Sequence, residues 1–318
     1  MRHLTRAVLF LTIPALLSAQ EGRPLPAGAE AWSLTGQPLA PPALAADVRE
    51  GHERRLAIAK LAFDRAPGNA DSIIWLGRRT AYLGRYREAL GIFTRGIALH
   101  PNDPRLYRHR GHRYLTVRRL DDAIADLERA ASLIRAKPDE VEPDGIPNAR
   151  GIPTSTLHSN IRYHLGLAHY LKGDFTRAAS VFAEDVTAAL ATKNVDMLVA
   201  SSHWRYMALR RAGRGEEAAL VLRPIVPELP VIENGSYHRL LLLYKGALSA
   251  DSLLAPKPAS GTTVEDVTIG YGVGNWHLYN GRVPQGRALF AELLRSPQWA
   301  AFGYLAAEAE VARSGVKP

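Results

Sequence analysis

The sequence predicts an all-α fold, a solenoid of antiparallel helix pairs, and three observations carry that prediction. First, the stretch from Asp71, DSIIWLGRRTAYLGRYREALGIFTRGIALHP, aligns with the stretch from Arg105, RLYRHRGHRYLTVRRLDDAIADLERAASLI, at an offset of 34 residues. Ala89 then meets Ala123, Phe93 meets Leu127, and Pro67 and Pro101 stand one period apart. A fixed period of this size marks stacked supersecondary units. Second, small and apolar residues recur three or four apart within each half-unit: Ile73, Leu76, Gly77 and Thr80, then Tyr86, Ala89, Leu90, Phe93 and Ile97. Each set is one face of a helix. Third, the punctuation falls where helix pairs need it. Gly84 separates the two halves, Pro101 ends the second, and Asp103-Pro104 offers an N-cap aspartate followed by a proline at the first helical position.

In chain order, residues 1–19, MRHLTRAVLFLTIPALLSA, read as a secretory signal peptide. Arg2 and Arg6 make a positive start, Ala7–Leu17 an apolar stretch, and Ser18-Ala19 a small-residue end. The apolar stretch is too short to span a bilayer. Residues 20–43 are rich in proline and alanine and read as extended. The helical repeat domain is expected over 44–318, opened by a capping helix around Leu56–Arg65. Its repeats are read at 67–135, 157–190, 195–228 and 263–295, with a closing cap at 297–313. The third copy shows Leu165-Gly166, Gly173, Phe175, Ala178 and Phe182; the fourth Gly213, Ala218 and Leu222; the fifth Gly274, Gly281, Gly286 and Phe290.

Two insertions interrupt the array. From Gly111 to Gly166 is 55 residues, 21 more than one period, and the excess at 136–156 is too rich in proline for a helix. The second, 229–262, holds an expected helix at Ser236–Lys245 and a loop at 256–261. In the first, PDEVEPD at 138–144 reads either as a solvated loop or as an acidic flap lying over the basic stripe and competing with an acidic ligand.

At Leu76-Gly77, Ala89-x3-Phe93 and Pro101 the pattern resembles the tetratricopeptide repeat (TPR) family. The likeness is fullest over 67–135, continues over 157–190, and thins beyond 195. It implies a right-handed superhelix whose first helices line a concave groove. The corresponding positions here hold Arg78, Tyr82, Arg105, Arg108, His112, Asn160, Tyr163, Tyr170, His203, Arg210, Tyr271, Asn275 and Tyr279. Repeat arrays commonly bind on that side, and arginine with tyrosine suits a carboxylate-bearing segment. Some members of the family clamp a carboxylate with lysine and asparagine. No lysine stands on this stripe, so that clamp is not carried over.

Composition narrows the function. The net charge is +9, and cleavage after Ala19 lowers it to +7. There is no cysteine, hence no disulfide, thiol nucleophile or cysteine metal ligand. YRHRGHRYLTVRR at 107–119 could bind phosphates. Its arginines point all around the helix, however, and an exported chain meets little nucleic acid. His109 and His112 lack the further ligands a metal needs, so no metal is expected. GYGVGNWHLYNG at 270–281 lacks nucleotide-loop spacing and reads as close helix packing. Asn234-Gly235-Ser236 is either a glycosylation acceptor or a turn with a serine cap. No nucleophile motif is present. The expectation is therefore a non-catalytic protein- or peptide-binding scaffold or adaptor of the bacterial cell envelope, exported to the periplasm or envelope. It would have no cofactor, no nucleic-acid partner and no transmembrane segment after signal cleavage, and its partner would be acidic if the arginines seat it. The alternative is a subunit or enzyme with a small-molecule or polysaccharide pocket in the solenoid.

Overall fold

The computed structural model describes residues 23–254 and 262–315. The expected signal peptide at 1–19 and the loop at 256–261 lie outside those residues. The proline-rich start is more than an extended strand. From Ala31–Trp32 (β1) to Pro38–Leu39 (β2) it forms a small antiparallel hairpin with Ala31 opposite Leu39. The capping helix α1, Ala46–Arg65, begins ten residues before the expected Leu56.

The repeat period then sets the architecture. The first two pairs are α2 (Ala70–Tyr82) with α3 (Tyr86–Leu99), and α4 (Pro104–Thr116) with α5 (Leu120–Ile134). Two more pairs follow: α6 (Leu157–Lys172) with α7 (Phe175–Thr192), and α8 (Val195–Arg211) with the short α9 (Gly215–Val221). Helices α10 (Gly235–Tyr244) and α11 (Ala250–Leu254) lie in the second insertion. The last pair is α12 (Val264–Tyr279) with α13 (Val283–Leu293), and α14 (Phe302–Ser314) closes the chain. Side-chain caps start the first helices of the pairs. Asn69, Asp103, Thr156 and Asn194 accept from backbone N–H groups of the first turns, and Thr263 forms a full capping box with Asp266.

One packing rule recurs in four of the pairs. The glycine of the first helix receives the large side chain sixteen residues later. A Cβ on Gly77 would lie 2.5 Å from the Phe93 ring, one on Gly111 2.8 Å from Leu127, one on Gly166 2.7 Å from Phe182, and one on Gly274 2.6 Å from Phe290. Larger residues at those positions would force the helices apart. Gly270, Gly272 and Gly274 therefore serve helix packing, whereas Gly281 makes the turn that follows the helix, at φ +79°.

Arg110 shows how the period tolerates a polar substitution. It stands where Leu76 stands one repeat earlier, and Asp126 stands where Ile92 stands. Arg110 donates to Asp126 from both Nε and Nη2 at 2.7 Å, a bidentate pair in place of an apolar contact. Asn234 is also engaged. Its backbone N–H, with those of Ile232 and Glu233, donates to the Asp196 carboxylate, while its side chain reaches the Asp196 carbonyl.

The end of the chain corrects the expectation of a simple cap. Helix α14 packs against α6 as well as α12 and α13 and fills the C-terminal half of the concave face. Arg118, in the α4–α5 turn, reaches across to it. Its Nη2 lies 2.5 Å from Glu308, and the two side chains are only 2 % and 1 % exposed. Arg118 also donates to the carbonyl of Trp299 at 2.9 Å. Trp299 donates to the carbonyl of Ala40 at 2.6 Å, and the Leu34 N–H donates to Glu308. The N-terminal hairpin, the second repeat and the last helix thus meet at one point. An apolar core runs from Ala31 to Ala309 with few breaks.

Candidate binding site on the concave face

The thirteen residues of the expected groove do not share one open surface. Those of the C-terminal half are sealed under α14 or between helices. Tyr170 donates to or accepts from Tyr271 at 2.7 Å and takes a hydrogen bond from Asn275 at 3.0 Å. Tyr163 meets the Tyr237 hydroxyl and the Trp204 indole N–H, each at 2.9 Å. His203 is stacked between Tyr237 and Tyr244. Burial alone pulls its pKa down to about 3, and burial, with Glu310 adding to it against Arg211, raises the Tyr170 phenol to about 12. Arg210 lies over the Tyr279 ring and donates to Asn280 and the Tyr206 hydroxyl at 3.0 Å each. These residues form a polar-aromatic interior, in which His203 Nε2 and the Tyr279 hydroxyl have no partner, rather than an open groove lining. Arg105 is separate again. It is bound by Asp103 and Asp71 at the edge of an open depression of about 520 Å³ that also borders Lys137, Glu140 and His158.

Four of the thirteen do converge. Arg78 and Tyr82 from α2, with Arg108 and His112 from α4, line a cavity of about 100 Å³. His109 and Arg113 join them, two residues the groove stripe did not include. Helical spacing explains the grouping: 78 and 82 are one turn apart, as are 108 and 112, and both helices turn the same face inward. The cavity is strongly cationic. Burial, with Arg108 and Arg78 adding to it against Tyr86 and Tyr82, pulls Arg113 down to about 10. Burial first, then the arginines around them, holds His109 and His112 well below the ordinary histidine value, so both are neutral at pH 7. His112 packs against His164 with the rings tilted by 45°, and His164 Nδ1 is bonded to the Asn160 carbonyl at 2.6 Å.

The first insertion covers this cavity. Its base is tied to the start of α6: His158 N–H and the Thr156 hydroxyl donate to Asp139, and Leu157 N–H to the Glu140 carbonyl. Its tip lies on α2. Arg78 donates to the Pro143 carbonyl at 2.8 Å and Arg79 to the Gly145 carbonyl at 2.6 Å. Gly145 is required there, because a Cβ would sit 1.7 Å from the Tyr82 hydroxyl oxygen. Glu142 turns inward, is buried, and lies 3.0 Å from Arg108 Nε and 3.8 Å from His109. Asn160 donates to it at 3.1 Å. Of the two readings of PDEVEPD, the structure supports the flap. Its acidic content and its place in the repeat register were visible in sequence; the side chain that enters was not.

Among the described residues no three histidine, aspartate or glutamate side chains converge as a metal site, and no helix is long and apolar enough to cross a membrane.

Comparison with known proteins agrees with the repeat register. Residues 76–141 match the family model described as a tetratricopeptide repeat. No curated protein matches the chain. Among solved structures, the kinesin light chain TPR-like repeats of Podospora anserina align at a TM-score of 0.43 and 16 % identity, over 73 % of this chain and 96 % of that one. Naa15/Naa10 bound to HypK-THB aligns at 0.35 and 14 %, over 82 % of this chain and 39 % of that one. The APC/C assembly Cut9-Hcn1 aligns at 0.32 and 13 %, over 85 % and 63 %. Weight therefore falls on the family match, on the 34-residue register and on the glycine-to-ring packing that recurs beyond the matched residues. On those grounds residues 76–141 carry tetratricopeptide repeats, and helix pairs beyond them continue the same glycine-to-ring packing.

Proposed function

We propose that this chain is an exported, non-catalytic scaffold of a bacterial cell envelope, holding a protein or peptide partner at the N-terminal end of its concave face. The observation that carries the reading is the charge imbalance of the α2–α4 cavity: Arg78, Arg108 and Arg113 face one carboxylate, Glu142. A basic concavity in a repeat protein attracts and orients an anionic segment. The cavity is too small for a drug-sized ligand, which occupies roughly 300 Å³ or more, and this favours a partner that inserts side chains over a free small molecule. Export rests on the character of residues 1–19.

The test passes envelope extract over the immobilised chain at low and high salt, beside the charge-reversed variant Arg78→Glu/Arg79→Glu. A partner retained by the wild type at low salt and lost from the variant supports the reading. Equal retention by both overturns it. Fractionation of cells making the tagged full chain, with and without residues 2–19, tests export: the tag should leave the cytoplasm only when they are present.

A further inference from the structure

We infer that the loop 139–153 is an internal ligand: Glu142 sits in a carboxylate seat made by Arg78, Arg108 and Arg113, and a partner's acidic side chain takes that seat by displacing it. The inference rests on the partner-binding reading above and deepens it.

Four observations point the same way. The seat is under-filled. Three other arginines have close carboxylate partners: Arg110 with Asp126 by two aligned bonds, Arg118 with Glu308, and Arg211 with Glu310 at 2.5 Å. In the cavity no carboxylate among the described residues is paired with Arg113, and Arg78 holds the carbonyl of Pro143 and the face of Trp75, with Asp144 attracted to it but in no salt bridge with it. Second, the present occupant fits imperfectly. Arg108 is more than nine-tenths buried, yet its Nε makes no aligned hydrogen bond, although Glu142 lies 3.0 Å away. A carboxylate free to approach along the guanidinium edge would gain two parallel bonds.

Third, the flap can leave without unpacking the solenoid. It belongs to an insertion outside the repeat register, and its ties are polar: Arg78 and Arg79 hold the tip through backbone carbonyls, Asn148 and Thr154 donate to Glu233 of the second insertion, and the Glu142 N–H donates to the Ser155 carbonyl at 3.2 Å. Ile146 and Ile152 are exposed, so little apolar surface holds it down. Fourth, the flap carries its own repulsion. Burial, then Glu233 nearby, pushes the Asp144 carboxyl above its ordinary value. Lifting the tip relieves that cost and gives up the attraction of Arg78 for the same carboxyl. The cavity of about 100 Å³ suits one carboxylate-bearing side chain.

The experiment uses a labelled peptide with the flap's own sequence, Asp-Glu-Val-Glu-Pro-Asp, and a neutral counterpart, Asn-Gln-Val-Gln-Pro-Asn, in fluorescence anisotropy. Two variants free the seat by independent routes. Glu142→Gln removes the competing charge, and Gly145→Ala sets a methyl group against Tyr82 so that the tip cannot settle. Neither changes a helix, and circular dichroism with the thermal midpoint checks folding. Both variants should bind the acidic peptide at least about tenfold tighter than the wild type, as for a seat that its own loop fills nine-tenths of the time. The neutral peptide should bind to none, and adding Arg108→Gln to Glu142→Gln should abolish the gain. If a folded variant binds the acidic peptide no tighter than the wild type, or binds both peptides alike, the inference is wrong. Retention of an envelope partner through Arg78 and Arg79 alongside that result would leave the scaffold reading standing, so the two fail separately.

Discussion

Replacing Arg118 by glycine separates two opposing effects at the point where the solenoid closes. Arg118 occupies the turn position held by Gly84 one repeat earlier and by Gly173 in the next pair, and its φ is +65°, a left-handed conformation. That conformation costs a non-glycine residue about 1–2 kcal/mol. Local propensity alone therefore predicts that Arg118→Gly stabilises. Against this stands the ion pair with Glu308, in which both side chains are almost fully buried. Removing one partner of a buried pair leaves the other charge uncompensated, at about 3–5 kcal/mol. The larger effect wins, and the net loss is about 1–4 kcal/mol. Urea unfolding followed by circular dichroism reads the total, and hydrogen exchange in Phe302–Ser314 reads the local opening of α14. Arg118→Ala should be worse than Arg118→Gly by about 1 kcal/mol, because it keeps the strain and loses the pair. Adding Glu308→Gln to Arg118→Gly should recover at least half the loss. A glycine variant as stable as the wild type, or a double variant no better than the single, would refute the assignment of Arg118 as the lock between the second repeat and the last helix.

Two further outcomes follow from buried titratable pairs and histidines. His109, His112, His164 and His203 are held neutral by burial, so the unfolded chain binds more protons than the folded one below about pH 6.5. Stability should be full above that pH and fall as pH drops, by about 1.4 kcal/mol per unit for each group. Asp185, raised to about 6 by burial against its bonds from Ser201 and Ser159, opposes this between pH 6 and about 4, where the folded state holds the extra proton. The thermal midpoint at pH 5 should lie below that at pH 7.5, with a smaller difference in His203→Phe; an unchanged midpoint would count against neutral burial. For the Arg110–Asp126 pair, Arg110→Leu alone should cost stability because Asp126 is left buried. Arg110→Leu with Asp126→Ile, which restores the residues of the preceding repeat, should return to within about 1 kcal/mol of the wild type.

Much of the solenoid was legible because it depends on local periodicity. The 34-residue offset, the glycines at 77, 111, 166 and 274, and the cap at Asp103 are near-neighbour features, and the helices follow them. The pairing of Arg110 with Asp126 was also readable, since both replace apolar residues at the same two repeat positions. What did not follow from the register was closure. A repeat model places Tyr170, Tyr271 and Asn275 on an open concave stripe, yet α14 lies in that concavity and buries them. The hint stood in FGYLAAEAEVARS: Glu308 sits in an alanine-rich run with no basic residue within four positions, so it needs a distant cation, while Glu310 has Arg313 three residues on and takes a second cation from afar. Arg118 and Arg211 supply these over separations no period reveals. The binding site was half visible for the same reason. Arg78, Tyr82, Arg108 and His112 share helical faces and could be grouped, whereas Glu142 reaches them from an irregular insertion whose path depends on backbone contacts with Arg78 and Arg79.

Hydrogen exchange on the wild-type chain, with and without a saturating concentration of the acidic flap peptide, tests most directly whether an acidic partner replaces the flap. The account predicts faster exchange across residues 141–154 and slower exchange across Pro104–Thr116 when the peptide is bound. Binding that leaves residues 141–154 as protected as before would contradict it, because the peptide would then be held somewhere other than the arginine seat.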